Sequence, residues 1–239
     1  PEALLNSGSG WLVNATCKGE DHRASFIHGA EIAVQGQAIP RGALSPGTTV
    51  VDKTTFISDT GEIVWDNSRA GEGVLTVDTG RTKFVVGFGL GQTFDLSGIK
   101  ITPGVTLQKG FAALALTAMD GTSFLDATRI VVTAVGCVNN TACTWYRYPR
   151  ARVLFPPAEN LNITLGDYTP ARGWGIAPTR MEGIPAVVIL PFPPSSVKAW
   201  VLDNTGSRSR EITVANEGGS AKLSLLPQYQ TIWYEIEIK

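Results

Sequence analysis

The stretch Thr231-Ile232-Trp233-Tyr234-Glu235-Ile236-Glu237-Ile238 decides the fold class. Its side chains alternate. In an extended chain Ile232, Tyr234, Ile236 and Ile238 share one face, while Thr231, Trp233, Glu235 and Glu237 share the other. A period of two marks a strand with one buried face. Trp233 falls on the polar side, so its indole is either exposed or covered by another part of the protein.

Outward from this stretch the same pattern repeats. Lys83-Phe84-Val85-Val86-Gly87-Phe88, Phe111 to Met119 and Arg129 to Val138 are short apolar runs rich in β-branched or aromatic residues. Turn residues bound them: Gly89 and Gly91, Pro103-Gly104 and Asp120-Gly121. Asp59-Thr60-Gly61 and Asp78-Thr79-Gly80 punctuate the earlier runs in the same way. A sustained i, i+3, i+4, i+7 apolar stripe is missing, so the expected fold is all-β.

A second strand series follows: Ala186 to Leu190, Lys198 to Asp203, Glu211 to Ala215, Ala221 to Leu225 and Thr231 to Ile238. Asp203-Asn204-Thr205-Gly206 and Glu217-Gly218-Gly219 suit hairpin turns between them. The two series are separated by a stretch holding Pro149, Pro156-Pro157, Pro170 and Pro178. The expectation is therefore two antiparallel β-sandwich units, immunoglobulin-like or Greek-key, packed together. Residues 11–150 would form a β-sandwich domain, 151–178 a Pro-rich connection, and 179–239 a small immunoglobulin-like sandwich. Residues 1–10 read as an extended segment, Ala3-Leu4-Leu5 followed by Asn6-Ser7-Gly8-Ser9-Gly10. Such a segment either folds back as an edge strand or adds to the sheet of a neighbouring molecule.

Composition narrows the function. The 239 residues carry 20 Lys plus Arg against 21 Asp plus Glu, a net charge of −1, which argues against a nucleic-acid partner. With 17% charged and 43% hydrophobic residues the chain should fold rather than stay disordered. The longest apolar stretch, Pro185 to Pro194, is interrupted by prolines and falls short of a membrane span. The first residues lack a basic-then-apolar leader pattern and Pro1 is no initiator, so Pro1 is expected to be a processed, trimmed or first-ordered residue.

Cysteines and sequons suggest the compartment. Cys137 and Cys143 bracket Val138-Asn139-Asn140-Thr141-Ala142, a short polar link suited to a hairpin. A disulfide there would remove about 2–2.5 kcal/mol of denatured-state entropy; the alternative is free thiols, and Cys17 is left over or pairs elsewhere. Glycosylation sequons begin at Asn14, Asn139 and Asn162. Asn139, inside the cysteine loop, is expected at an exposed tip that accepts a glycan. The expected setting is an extracellular, eukaryotic-style glycoprotein; the alternative is a bacterial secreted protein whose sequons are accidental.

The search for chemistry returns binding rather than catalysis. His22 and His28 lie six apart near Glu20 and Asp21, but Arg23 opposes a cation, and no metal or cofactor is expected. A nucleophile elbow is absent, and Gly87-Phe88-Gly89-Leu90-Gly91 precedes no helix, so its glycines point to close backbone packing or a bulge. Glu62, Asp66 and Asp78 are acids without a pairing signature, and Asp59, Asp78 and Asp120 suit turn duty. Exposed rings can stack on sugar faces. Trp145 and Tyr148, in Trp145-Tyr146-Arg147-Tyr148, Trp174 beside Arg172, and Trp233 are the candidates. The same clusters also suit interdomain contacts or cation–π pairs.

Several segments resemble a known family. Ser58-Asp59-Thr60-Gly61-Glu62-Ile63-Val64-Trp65-Asp66, Thr76-Val77-Asp78-Thr79-Gly80-Arg81-Thr82 and Val86-Gly87-Phe88 are similar to the β-sandwich region that follows the catalytic barrel in large secreted glycoside hydrolases. The likeness continues through Leu116 to Gly121, Arg129 to Ala134, Trp200 to Asp203 and Gln228 to Tyr234. The family more often has Pro where Gly80 stands. The resemblance implies a carbohydrate-associated accessory region. The family's catalytic acids belong to the barrel, so none is carried over.

The sequence thus predicts a non-catalytic, extracellular, glycosylated β-sandwich module associated with a polysaccharide. The alternative is a structural subunit of a fibre or surface coat that assembles through residues 1–10.

Overall fold

The computed structural model describes residues 54–58, 60–69, 72–144, 146–147, 168–169 and 173–239. The strands are β1 (Thr55–Ile57), β2 (Ile63–Asp66), β3 (Val74–Asp78), β4 (Thr82–Phe88), β5 (Phe94–Leu96), β6 (Ile99–Pro103), β7 (Phe111–Ala118) and β8 (Arg129–Thr141). They continue with β9 (Tyr146–Arg147), β10 (Tyr168–Thr169), β11 (Ile176–Gly183), β12 (Ala186–Leu190), β13 (Val197–Leu202), β14 (Arg208–Ile212), β15 (Val214–Glu217), β16 (Ser220–Leu225) and β17 (Trp233–Ile238). Among the described residues the only helical elements are short 3₁₀ turns, and no helix is long and apolar enough to cross a membrane.

The fold is all-β, with two antiparallel sheets. The larger runs β1-β2-β3-β4-β7-β8-β17-β13-β14, with β11 also paired to β8; the smaller runs β15-β16-β12-β6-β5. Alternation explains the pairing. In β7, Ala112, Leu114, Leu116 and Ala118 are buried, and in β8 Ile130, Val132 and Ala134 are buried. Tyr234 and Ile236 of β17 extend that layer, and Ile99, Ile101, Val188, Leu190, Leu223 and Leu225 of the smaller sheet join it in one core cluster. This arrangement is compatible with a β-sandwich. Gly87 serves close packing: a side chain there would come within 2.8 Å of the Val74 backbone on β3, and its φ of +129° suits glycine.

The expected division at 151–178 does not separate two sets of sheets. β12 lies between β6 and β16, and β17 lies between β8 and β13, so the later strand series is built into both sheets of the earlier one. The physical reason is hydrogen bonding. The free edges of β6 and β8 take partners from late in the chain, so the pairing of the first series is completed by the second. The single strand expected over Glu211 to Ala215 is also two strands. β14 ends at Ile212 in the larger sheet, and β15 begins at Val214 in the smaller.

The hairpin loop expected between Cys137 and Cys143 is replaced by strand. β8 continues to Thr141, with β11 pairing Met181 to Val138, Arg180 to Asn139 and Thr179 to Asn140. At roughly 3.3 Å per residue, Cys137 and Asn140 stand about 10 Å apart, well beyond disulfide reach. The turn at Ala142 brings Cys143 back only to Asn140, whose carbonyl accepts its N–H at 3.1 Å. Both thiols are free and half-buried, so the predicted disulfide is corrected. Asn139 correspondingly sits within a strand, not at a loop tip. The candidates Asn14, Asn162, Trp145 and Tyr148, together with Cys17, His22, His28 and residues 1–10, lie outside the described residues.

Candidate functional site

β8 is the longest strand, and one of its edges serves two partners. β17 pairs with Arg129 to Thr133, and β11 pairs with Val135 to Thr141. The two partners meet end to end, where Gly183 lies against the carbonyl of Thr231. A side chain at Gly183 would approach that oxygen to 2.7 Å, so glycine permits the junction. Beside the junction opens a groove of about 690 Å³, lined among others by Cys137, Asn139, Arg180, Asn204, Gln230 and Trp233.

Each lining residue has a local cause. Trp233 begins β17; its N–H donates to Thr231 Oγ1 at 3.0 Å, and that hydroxyl donates to the Leu202 carbonyl at 2.8 Å. The main chain of Trp233 is thereby anchored, and the half-buried residue lines the groove from the outward side of the larger sheet. Asn204 belongs to the Asp203–Gly206 turn, which Asp203 organises by accepting the N–H groups of Thr205 and Ser207 at 2.8 and 3.0 Å. Contacts with the Thr205 hydroxyl and these amides hold the Asp203 carboxyl below the usual range. Gln230 closes the 3₁₀ turn Pro227–Tyr229 with φ +52°.

Two more groups set the electrostatics. Glu182 accepts the N–H of Leu107 at 2.7 Å and that of Cys137 at 2.8 Å, one on each oxygen. Cys137 Sγ receives Asn139 Nδ2 at 3.1 Å and Gln108 Nε2 at 3.5 Å. Arg180, opposite Asn139 in the ladder, is exposed, and neither its guanidinium nor the side chains of Asn204 and Gln230 engage any partner among the described residues.

The sequence-predicted residues are only partly brought together. Trp233, Asn139 and Cys137 line the groove. Trp174 is 66% exposed, and its carbonyl accepts Asn140 Nδ2 at 2.9 Å. It precedes Ile176, which pairs with Thr141, whereas Trp233 pairs with Thr133. The two rings therefore lie roughly 25 Å apart along β8 and cannot share one sugar. Arg180 and Gln230 carried no site signal in the sequence; Asn204 was visible only as a turn residue. Two of the acids weighed for catalysis hold local structure: Asp66 accepts the Ser68 N–H at 2.8 Å, and Asp78 pairs with buried Lys83 and accepts Ser97 Oγ at 2.8 Å, while Glu62 is exposed. Among the described residues no three of His, Cys, Asp and Glu converge as metal ligands.

Comparison of the chain with family models, curated proteins and solved structures finds no match.

Proposed function

We propose that this chain is a non-catalytic, extracellular, N-glycosylated β-sandwich module accompanying a polysaccharide-active protein, and that it meets carbohydrate at the β8–β11–β17 groove. The observation that carries this reading is the Trp233 indole standing in one groove with the unengaged amides of Asn204 and Gln230. A pyranose presents a C–H face to an aromatic ring and hydroxyls to planar amides, which both donate and accept. The Glu182 carboxylate is already taken by two backbone N–H groups, an arrangement suited to holding the groove in shape rather than to moving protons.

The test is affinity electrophoresis and pull-down against a panel of plant, algal and microbial polysaccharides. Trp233→Ala and the exposed pair Asn204→Ala/Gln230→Ala should each weaken binding about tenfold or more, with the β-type circular dichroism retained. A wild type that retains nothing, or a double variant that binds normally, refutes the groove reading. Intact-mass measurement of secreted protein tests glycans at Asn14, Asn139 and Asn162.

A second reading, a fibre or coat subunit assembling through residues 1–10, draws on the β8–β11 ribbon. Val138, Ile176 and Met181 are each about half exposed or more there, beside Trp174, and exposed apolar strands invite pairing with another chain. Deletion of residues 1–10 should then abolish assembly seen by electron microscopy; assembly that survives the deletion rules out strand exchange.

A further inference from the structure

We infer that the saccharide taken by the groove carries a carboxylate, a uronic acid, and that Arg180 binds it. This rests on the carbohydrate reading above and names its ligand class. The other described arginines with visible side chains are engaged. Arg69 donates to the Phe88 carbonyl at 2.6 Å and Arg81 to the Ala118 carbonyl at 3.1 Å. Arg129 and Arg208 hold Glu235, and Arg210 lies 4.6 Å from the Tyr229 ring centroid. Arg180 engages nothing among the described residues and lines the groove.

The groove's hydrogen bonding points the same way. Its acid, Glu182, accepts one backbone N–H on each oxygen and forms no ion pair with Arg180. Among the described residues the guanidinium's N–H groups are therefore open to a ligand in the groove that Trp233, Asn204 and Gln230 also line. A guanidinium presents parallel N–H groups in a plane, the geometry that a carboxylate accepts two at a time. Arg180 stands opposite Asn139 and Trp233 opposite Thr133, roughly 20 Å apart along β8, so the ligand is an oligosaccharide with a uronate at Arg180 and another of its sugars on the ring and amides. A neutral sugar would leave the cation unmatched.

Short oligogalacturonates and alginate oligosaccharides, each beside its carboxyl-methyl ester, isolate the charge while keeping the sugar. Titration calorimetry on the full chain should show the acids binding about tenfold tighter than the esters, with the preference shrinking as salt is added. Arg180→Gln should erase the preference, while Trp233→Ala weakens acid and ester alike. Because Arg180 is exposed and engages no partner among the described residues, the variant should melt as wild type does, so a lost preference reports on binding. Equal binding of acid and ester that still needs Trp233 overturns this inference and leaves the module reading standing. An acid preference that survives in Arg180→Gln overturns it too. If no saccharide binds, neutral or acidic, the carbohydrate reading falls and takes the uronate with it.

Discussion

Trp233 and Glu235 are two residues apart on the same outward side of β17, yet their surroundings differ in kind. Glu235 is 4% exposed. One of its oxygens accepts Arg129 Nη2 at 3.0 Å, the other accepts Arg208 Nε at 3.0 Å, and Arg208 also reaches Glu237 at 2.9 Å and lies 3.7 Å from the Trp200 ring centroid. Each charged side chain in that cluster is paired within the chain. Around Trp233 the side-chain polar groups of Arg180, Asn204 and Gln230 have no partner among the described residues. One sheet face therefore carries a closed polar cluster, which holds the fold, and an open one, which is free to meet something else.

The inward neighbour sets the upper end of the scale. Tyr234, between the two, is 1% exposed in the core, and burial pushes its phenol up to about 12. Tyr234→Ala should cost about 3–5 kcal/mol in urea unfolding, through lost contacts and a cavity. Breaking the closed cluster comes next. Glu235→Gln should cost about 1–3 kcal/mol at neutral pH, moderated because both arginines are partly exposed.

The same residue predicts a pH dependence. Burial opposes ionisation of Glu235, but hydrogen bonds from Arg129 and Arg208 outweigh it and hold the carboxyl below its ordinary value of 4.5. The folded state thus takes up the proton later than the unfolded chain as acid is added. Stabilisation from Glu235 is full above the unfolded value and lost as pH falls through the folded one. Below pH 4.5 the unfolding free energy of wild type should fall more steeply with pH than that of Glu235→Gln. Parallel curves would mean the cluster contributes no proton linkage.

The open cluster should behave oppositely. Arg180→Gln combined with Asn204→Ala should change stability by less than about 0.5 kcal/mol, because both side chains are exposed and engage no partner among the described residues. A loss above about 1 kcal/mol would show that they serve the fold and would collapse the distinction between the clusters.

How much of this was legible in the sequence follows from what alternation encodes. Ala186 to Leu190 is the observed β12 to the residue, and Tyr234 and Ile236 are buried as the period of two requires. Alternation says which side of a strand is wet or dry, but not which strand lies beside it. Hence the shared sheets, set by β6–β12 and β8–β17 pairing, stayed hidden. β11 was missed because Pro178 cannot donate to a ladder, and the strand accommodates it with a register shift between Ile176 and Thr179. Glu235 was assigned to the polar side, correctly, but its burial depends on arginines 106 and 27 residues away. The groove needed the end-to-end meeting of β11 and β17, so Trp233 was found by its place in the alternation and its companions were not.

The smallest effect tests the groove's floor. The open half of the comparison depends on β8 running straight past Cys137 to carry Asn139 opposite Arg180. A Cys137–Cys143 bond would fold that end back, remove the ladder to β11 and contribute about 2–2.5 kcal/mol through loop closure. With both thiols free, Cys143→Ser should leave the unfolding midpoint unmoved with or without reductant. Cys137→Ser should cost less than about 1 kcal/mol, since a hydroxyl can still accept the N–H groups of Asn139 and Gln108. A drop of about 2 kcal/mol in Cys143→Ser that reductant also produces in wild type would mean that the ribbon is stapled, and the groove would lose the strand that aligns Arg180 with Trp233.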